Sequence, residues 1–107
     1  MAKYFSPEET YKLDEKLVEM LDAARAAAGV PFVITEGYAS GGSHVSNTAH
    51  QRGLAVDLRC WNSSSRNKML RALLGAGFRR IGLYDKHIHV DIDETLPQDV
   101  IWIGLSH

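Results

Sequence analysis

The sequence contains a single cysteine, Cys60, so an internal disulfide and a cysteine-based zinc ribbon are both excluded. It has no apolar run near the ~20 residues that a membrane-spanning helix needs, and its opening, MAKYFSPEET, has no apolar h-region. The expectation is a chain soluble as made, with no membrane insertion. It also lacks an excess of positive charge. Twelve Lys and Arg stand against 13 Asp and Glu, a net charge of −1, and the basic residues are scattered rather than gathered into a stripe. Non-specific nucleic-acid binding rests on such an excess, so nucleic acid is not expected as a partner. Repeats, low-complexity tracts and linkers are missing too, and 107 residues suffice for one core, so residues 1–107 read as a single domain.

What is present is a series of short, well-punctuated elements. Ser6, Pro7 and Glu9 have the arrangement of a helix start with a capping box. Leu13, Leu17, Met20, Leu21, Ala24 and Ala28 then recur at helical spacing until Gly29 and Pro31, which predicts one long amphipathic helix. Residues 32–35 read as a short β-branched strand, and residues 37–49, GYASGGSHVSNTA, as a loop with little to bury. Residues 54–58 read as the next strand, and residues 64–74 as a second helix capped from within 62–65, with Met69, Leu70, Leu73 and Leu74 as its buried stripe. Residues 81–84 and 87–92 read as a hairpin closed by Asp85 and Lys86, and residues 100–103 as a last edge strand. This order predicts an α+β fold with a mostly antiparallel central sheet.

Two of these strands share an unusual design. In the stretch KHIHVDID, Ile88, Val90 and Ile92 occupy one face, which leaves His87, His89, Asp91 and Asp93 on the other. In the earlier strand Leu54, Val56 and Leu58 face one way, and Gly53, Ala55, Asp57 and Arg59 the other. In one sheet, the two strands would share a helix-covered side and a side bearing His87, His89 and Asp57, with His50 seven residues before Asp57. Two histidines and a carboxylate are a usual ligand set for catalytic zinc, which keeps a fourth position open. Small Gly53 and Ala55 would leave room there for metal and substrate. Plainer readings suit the remaining candidates: His44 and His107 as solvated residues, Cys60 as a small buried hydrophobe, residues 63–65 as capping serines, and Trp61 and Trp102 as core or rim aromatics.

The segment Thr48-Ala49-His50-Gln51-Arg52-Gly53-Leu54-Ala55-Val56-Asp57 resembles the SxHxxGxAxD motif of the D-alanyl-D-alanine carboxypeptidase and L-alanyl-D-glutamate endopeptidase family. His87-Ile88-His89 resembles the HxH motif that this family shares with lysostaphin-like peptidases and the hedgehog signalling domain, and residues 34–38 resemble its TSGYR segment. The resemblance covers residues 32–93. It implies a hedgehog/DD-peptidase-like fold, with two helices on one face of the sheet and zinc on the other. It also implies zinc bound by His50, Asp57 and His89, with His87 beside the water that the metal activates. The substrate it implies is a peptidoglycan stem peptide. Two positions depart from the family pattern. Ala39 stands where relatives carry an arginine near a substrate carboxylate, and Lys86 stands where many carry a catalytic carboxylate.

The resulting expectation is a zinc metallopeptidase, a carboxypeptidase or an endopeptidase. Asp85 is the first choice as general base, ahead of Glu36 and Asp91, and His87 is assigned to oxyanion stabilisation or proton transfer. Arg59 and Arg52 are the candidates for a substrate carboxylate, with Thr48 and Tyr38 as further substrate contacts. A chain of this kind resembles phage lytic or tail-associated enzymes and small wall peptidases, acting on the wall after lysis or from a phage particle. The competing readings are a non-catalytic zinc-containing binding module of the same fold and a two-histidine, one-carboxylate iron oxygenase.

Overall fold

A computed structural model describes residues 2–37, 49–50 and 52–104; Tyr38, Ala39, His44, Thr48 and His107 lie outside them. The fold is α+β, with helices α1 (Glu15–Ala28) and α2 (Ser63–Gly75) and strands β1 (Ile34–Glu36), β2 (Ala55–Arg59), β3 (Arg80–Leu83), β4 (His87–Asp91) and β5 (Val100–Ile103). The strands form one mixed sheet in the order β1-β2-β4-β3-β5. All neighbours are antiparallel except β3 and β5, which run parallel.

The first helix is shorter than its apolar periodicity predicts. Ser6 and Glu9 do form the reciprocal capping box, Ser6 N–H donating to Glu9 Oε1 (2.9 Å) and Glu9 N–H to Ser6 Oγ (3.3 Å), but it closes only turns. Lys12 has a φ of 56°, which a right-handed helix cannot continue through. The helix restarts at Asp14, whose carboxylate accepts from the amides of Lys16 (2.8 Å) and Leu17 (3.4 Å). It ends at Gly29, left-handed with φ 70° as expected of a helix-terminating glycine. Helix α2 is capped by Asn62, whose side chain accepts from Ser65 N–H (2.8 Å).

Both helices pack on the same face of the sheet. Leu17, Leu21, Ala24 and Ala28 of α1 and Met69, Ala72 and Leu73 of α2 join Val56, Leu58, Ile81, Ile88 and Val90 in one buried cluster. These are the strand residues whose alternation marks an apolar face. Leu74, expected in the stripe of α2, is instead 47 % exposed. Cys60 is buried as expected, and burial pushes its thiol pKa up, which makes it a poor nucleophile.

The opposite face carries the polar residues. Across it, cross-strand pairing aligns Glu36 with Asp57, Asp57 with His89, His89 with Gly82, and Gly82 with Trp102. One lateral row therefore draws a residue from every strand.

Candidate metal centre

His50 is presented by a tight turn immediately before β2. Gly53 N–H donates to His50 O (3.2 Å), and Leu54 N–H to Ala49 O (2.8 Å). Gly53 has a φ of 72°, and a Cβ there would collide with the carbonyl oxygen of Lys12. The expectation that Gly53 makes room for metal is therefore corrected: its smallness serves the backbone, letting the Lys12 segment pass close by. Arg52, in the same turn, forms an ion pair with Asp93 just beyond β4, tying the His50 turn to that strand's end. Asp93 is 1 % exposed and also accepts from Thr95 N–H (3.0 Å) and Thr95 Oγ1 (2.6 Å).

Asp57 and His89 come from adjacent antiparallel strands in direct register. His89 Nδ1 lies 2.9 Å and His50 Nε2 3.5 Å from the same oxygen, Asp57 Oδ1. One ligand atom from each of the three residues lies within 4.8 Å of the others, so the group could hold a metal ion. The remaining nitrogen of each ring is already tethered. His50 Nδ1–H donates to Gly37 O (2.9 Å), and His89 Nε2 sits 2.8 Å from Asp91 Oδ2. Tethering one imidazole nitrogen to an oxygen acceptor while the other points at a shared centre is how proteins orient metal-binding histidines, and the donor set suits zinc.

Asp91 holds a place at this centre that strand alternation alone does not reveal. A candidate base behind Asp85 by sequence, it is 2 % exposed and fully engaged. It accepts from Arg80 Nε (2.7 Å) and Asp93 N–H (3.1 Å) on Oδ1, while Oδ2 faces His89. Its position two residues after His89, on the same strand face, was the available signal.

The electrostatics follow from this packing. Burial alone would lower the pKa of His89, but its hydrogen bonds to Asp57 and Asp91, and their charges, raise it to about 9. Burial likewise opposes the charge on His50, and bonding to Asp57 and Gly37 raises its pKa in net. Asp57 is held well below the usual carboxylate range despite burial, because both histidines bond to it. A divalent cation placed among them would take over the role of those protons.

Around this centre stand the remaining candidates. His87 Nε2 is 3.8 Å from Asp57 Oδ2, and its ring stacks on Tyr84. Arg59 pairs with His87 across the sheet and places its guanidinium 4.8 Å from the Trp61 ring centroid. Asp85 occupies the exposed turn between β3 and β4, where its backbone carbonyl accepts from Arg66 Nη2 (3.1 Å). Glu36 Oε2 approaches to 4.0 Å from His50 Nε2. Alternation along β1 would put Glu36 on the face of Ile34, but a register shift between these two residues turns it toward Asp57 instead. A cleft of about 240 Å³ lined by Glu36, Thr35, Gly37, Glu8, Glu9 and Tyr11 adjoins this side. Trp102, a core or rim aromatic by sequence, lies with its ring centroid 5.6 Å from that of His89.

Among the described residues no helix is long and apolar enough to cross a membrane. A search of curated proteins found no match. The family model described as Peptidase M15, a family of zinc-dependent peptidases, matches residues 5–93, a stretch that contains His50, Asp57, His87 and His89. With most of the chain matched, this protein belongs to the peptidase M15 family.

Proposed function

We propose that this chain is a zinc metallopeptidase that cleaves peptide bonds in peptidoglycan stem peptides, with His50, Asp57 and His89 as the zinc ligands. The observation that carries the reading is the convergence of His50 Nε2 and His89 Nδ1 on Asp57, with the other nitrogen of each ring held by an oxygen. Zinc held by these three residues would supply the Lewis acidity that activates water near neutral pH and polarises a carbonyl.

The chain's own groups divide the remaining work. His87, with Nε2 3.8 Å from Asp57 Oδ2 and its ring face stacked on Tyr84, is the group for oxyanion stabilisation or proton transfer. For the general base, Glu36 is now preferred to Asp85. Its carboxylate lies 4.0 Å from His50 Nε2, beside the histidine cluster, whereas Asp85 occupies the exposed turn between β3 and β4. Arg59 is the better candidate for a substrate carboxylate, since Arg52 is engaged by Asp93. The roles proposed for Thr48 and Tyr38 concern positions outside the described residues.

The test is mass spectrometry of stem peptides and purified peptidoglycan after incubation with the zinc-loaded protein, with a chelator-treated control. New termini that appear only with metal support the reading and identify the bond. Binding of the same material without cleavage would instead support the non-catalytic module, which Ala39 and Lys86 at the two departing positions favour.

A further inference from the structure

Strand β5 lies beyond the stretch that matches the family, yet it delivers a side chain to the site face. Trp102 pairs in register with Gly82 of β3, and Gly82 is next in line to His89. A Cβ at Gly82 would sit 2.6 Å from Trp102 Cε2, so the indole rests directly over the glycine backbone. A Cβ at Gly104 would likewise run into the Tyr84 ring. Both rings therefore occupy places that any larger residue at these glycines would take from them.

The two rings are joined to each other and to the site. Trp102 Nε1–H donates to Tyr84 Oη (3.2 Å). The Tyr84 ring stacks on His87 with centroids 4.4 Å apart and planes at 10°. Through Nε2 the His87 ring reaches toward Asp57 Oδ2 (3.8 Å). Arg80, whose guanidinium lies 5.0 Å from the Trp102 ring centroid, holds that ring from a further direction.

We infer that Trp102 and Tyr84 are positioning residues for His87: Trp102 anchors the Tyr84 hydroxyl, and the anchored ring fixes the plane and reach of the His87 imidazole beside the metal centre. Among the described residues the His87 ring has no hydrogen-bonding tether of the kind that His50 and His89 have to Gly37 and Asp91. Stacking on an immobilised ring does the equivalent work through a flat contact, which sets orientation and leaves both ring nitrogens available. Neither Trp102 nor Tyr84 needs to touch substrate. The inference deepens the zinc-peptidase reading, but its structural part stands apart from it.

Two kinds of measurement test this. In proton NMR of the wild type, the His87 ring protons should be shifted upfield by the Tyr84 ring current, and Trp102→Phe and Tyr84→Leu should each move them toward free-histidine values. In kinetics on a stem peptide, Trp102→Phe should lower kcat by about tenfold, a modest misplacement of one acting group, while KM changes less than twofold and one zinc per chain is retained. Added to His87→Ala, the same substitution should have no further effect. Tyr84→Phe, which keeps the ring but removes the anchor, should reproduce the Trp102→Phe loss. Unchanged His87 shifts in Trp102→Phe overturn the inference, as does an equal kcat loss with and without His87. If the protein turns over no stem peptide, the peptidase reading fails while the NMR comparison still decides this one.

Discussion

Raising the pH from 7 to 9 should tighten zinc binding about 50-fold, because His89 must give up a proton to become a ligand. In the metal-free protein its pKa is raised to about 9 by Asp57 and Asp91. Well below that pH each unit costs the binding equilibrium about 1.4 kcal/mol, and because half the His89 rings are already deprotonated at pH 9, the interval from 7 to 9 amounts to about 2.3 kcal/mol. His50, raised in the same direction, steepens the dependence further. The linkage also has a stability side of opposite sign. A folded pKa above the unfolded value of about 6.5 means that the protonated His89 contributes stability to the metal-free protein below pH 6.5. That contribution, about 3 kcal/mol, is lost as the pH rises through about 9. Metal-free protein should therefore lose stability across the window in which zinc binds ever more tightly. Competition against a chromophoric chelator at buffered free zinc, repeated at half-unit pH steps, gives the affinities. Calorimetry in buffers of different ionisation enthalpy counts the protons released. An affinity independent of pH between 7 and 9, with no proton release, would refute the assignment of His89 as a ligand whose proton zinc displaces.

Other expectations follow from individual contacts. Asp91→Asn should weaken zinc binding by about 10- to 100-fold, as loss of a carboxylate that orients a ligand does, and the same chelator competition measures it. His89→Ala should abolish stoichiometric zinc together with activity, whereas His87→Ala should retain one zinc per chain and lose about 10²-fold in kcat; equal zinc loss in both would make His87 a ligand and the site closed. Gly53→Ala should destabilise the fold by about 1–3 kcal/mol, seen in denaturant unfolding, since the substitution combines a strained φ with a collision against Lys12. Arg59→Ala should raise KM for stem peptides with a free carboxylate and leave zinc content unchanged, and an unaltered KM would remove Arg59 from recognition.

The parts of the site legible in the sequence were those governed by strand alternation. Period two places Asp57 and His89 on one face and their apolar neighbours on the other, and a buried helix layer enforces that choice. Local irregularities hid the rest. Glu36 reaches the site only through the register shift in β1, which inverts the parity that Ile34 would predict. Helix α1 begins late because a single positive φ at Lys12 interrupts an otherwise unbroken apolar pattern. In β5, read only as an edge strand, alternation could not tell the faces apart, because all four residues are apolar: Ile101 and Ile103 are 51 % and 86 % exposed, while Trp102 turns to the site. Nothing local to these residues announces that β5 runs parallel to β3, and that pairing is what sets Trp102 opposite Gly82.

The carbonyl of Gly53 accepts the amide of Asp14 at 2.9 Å, so one hydrogen bond belongs both to the turn that offers His50 and to the residue that caps α1. Opening the first turn of that helix and loosening the His50 turn are therefore a single event rather than two. A cation that clamps His50 should slow amide exchange at Asp14, which is not itself a ligand. A mutation that frays the helix start should correspondingly raise the rate at which bound metal escapes. Exchange at this one amide could then serve as a gauge of occupancy, read from the opposite layer of the molecule.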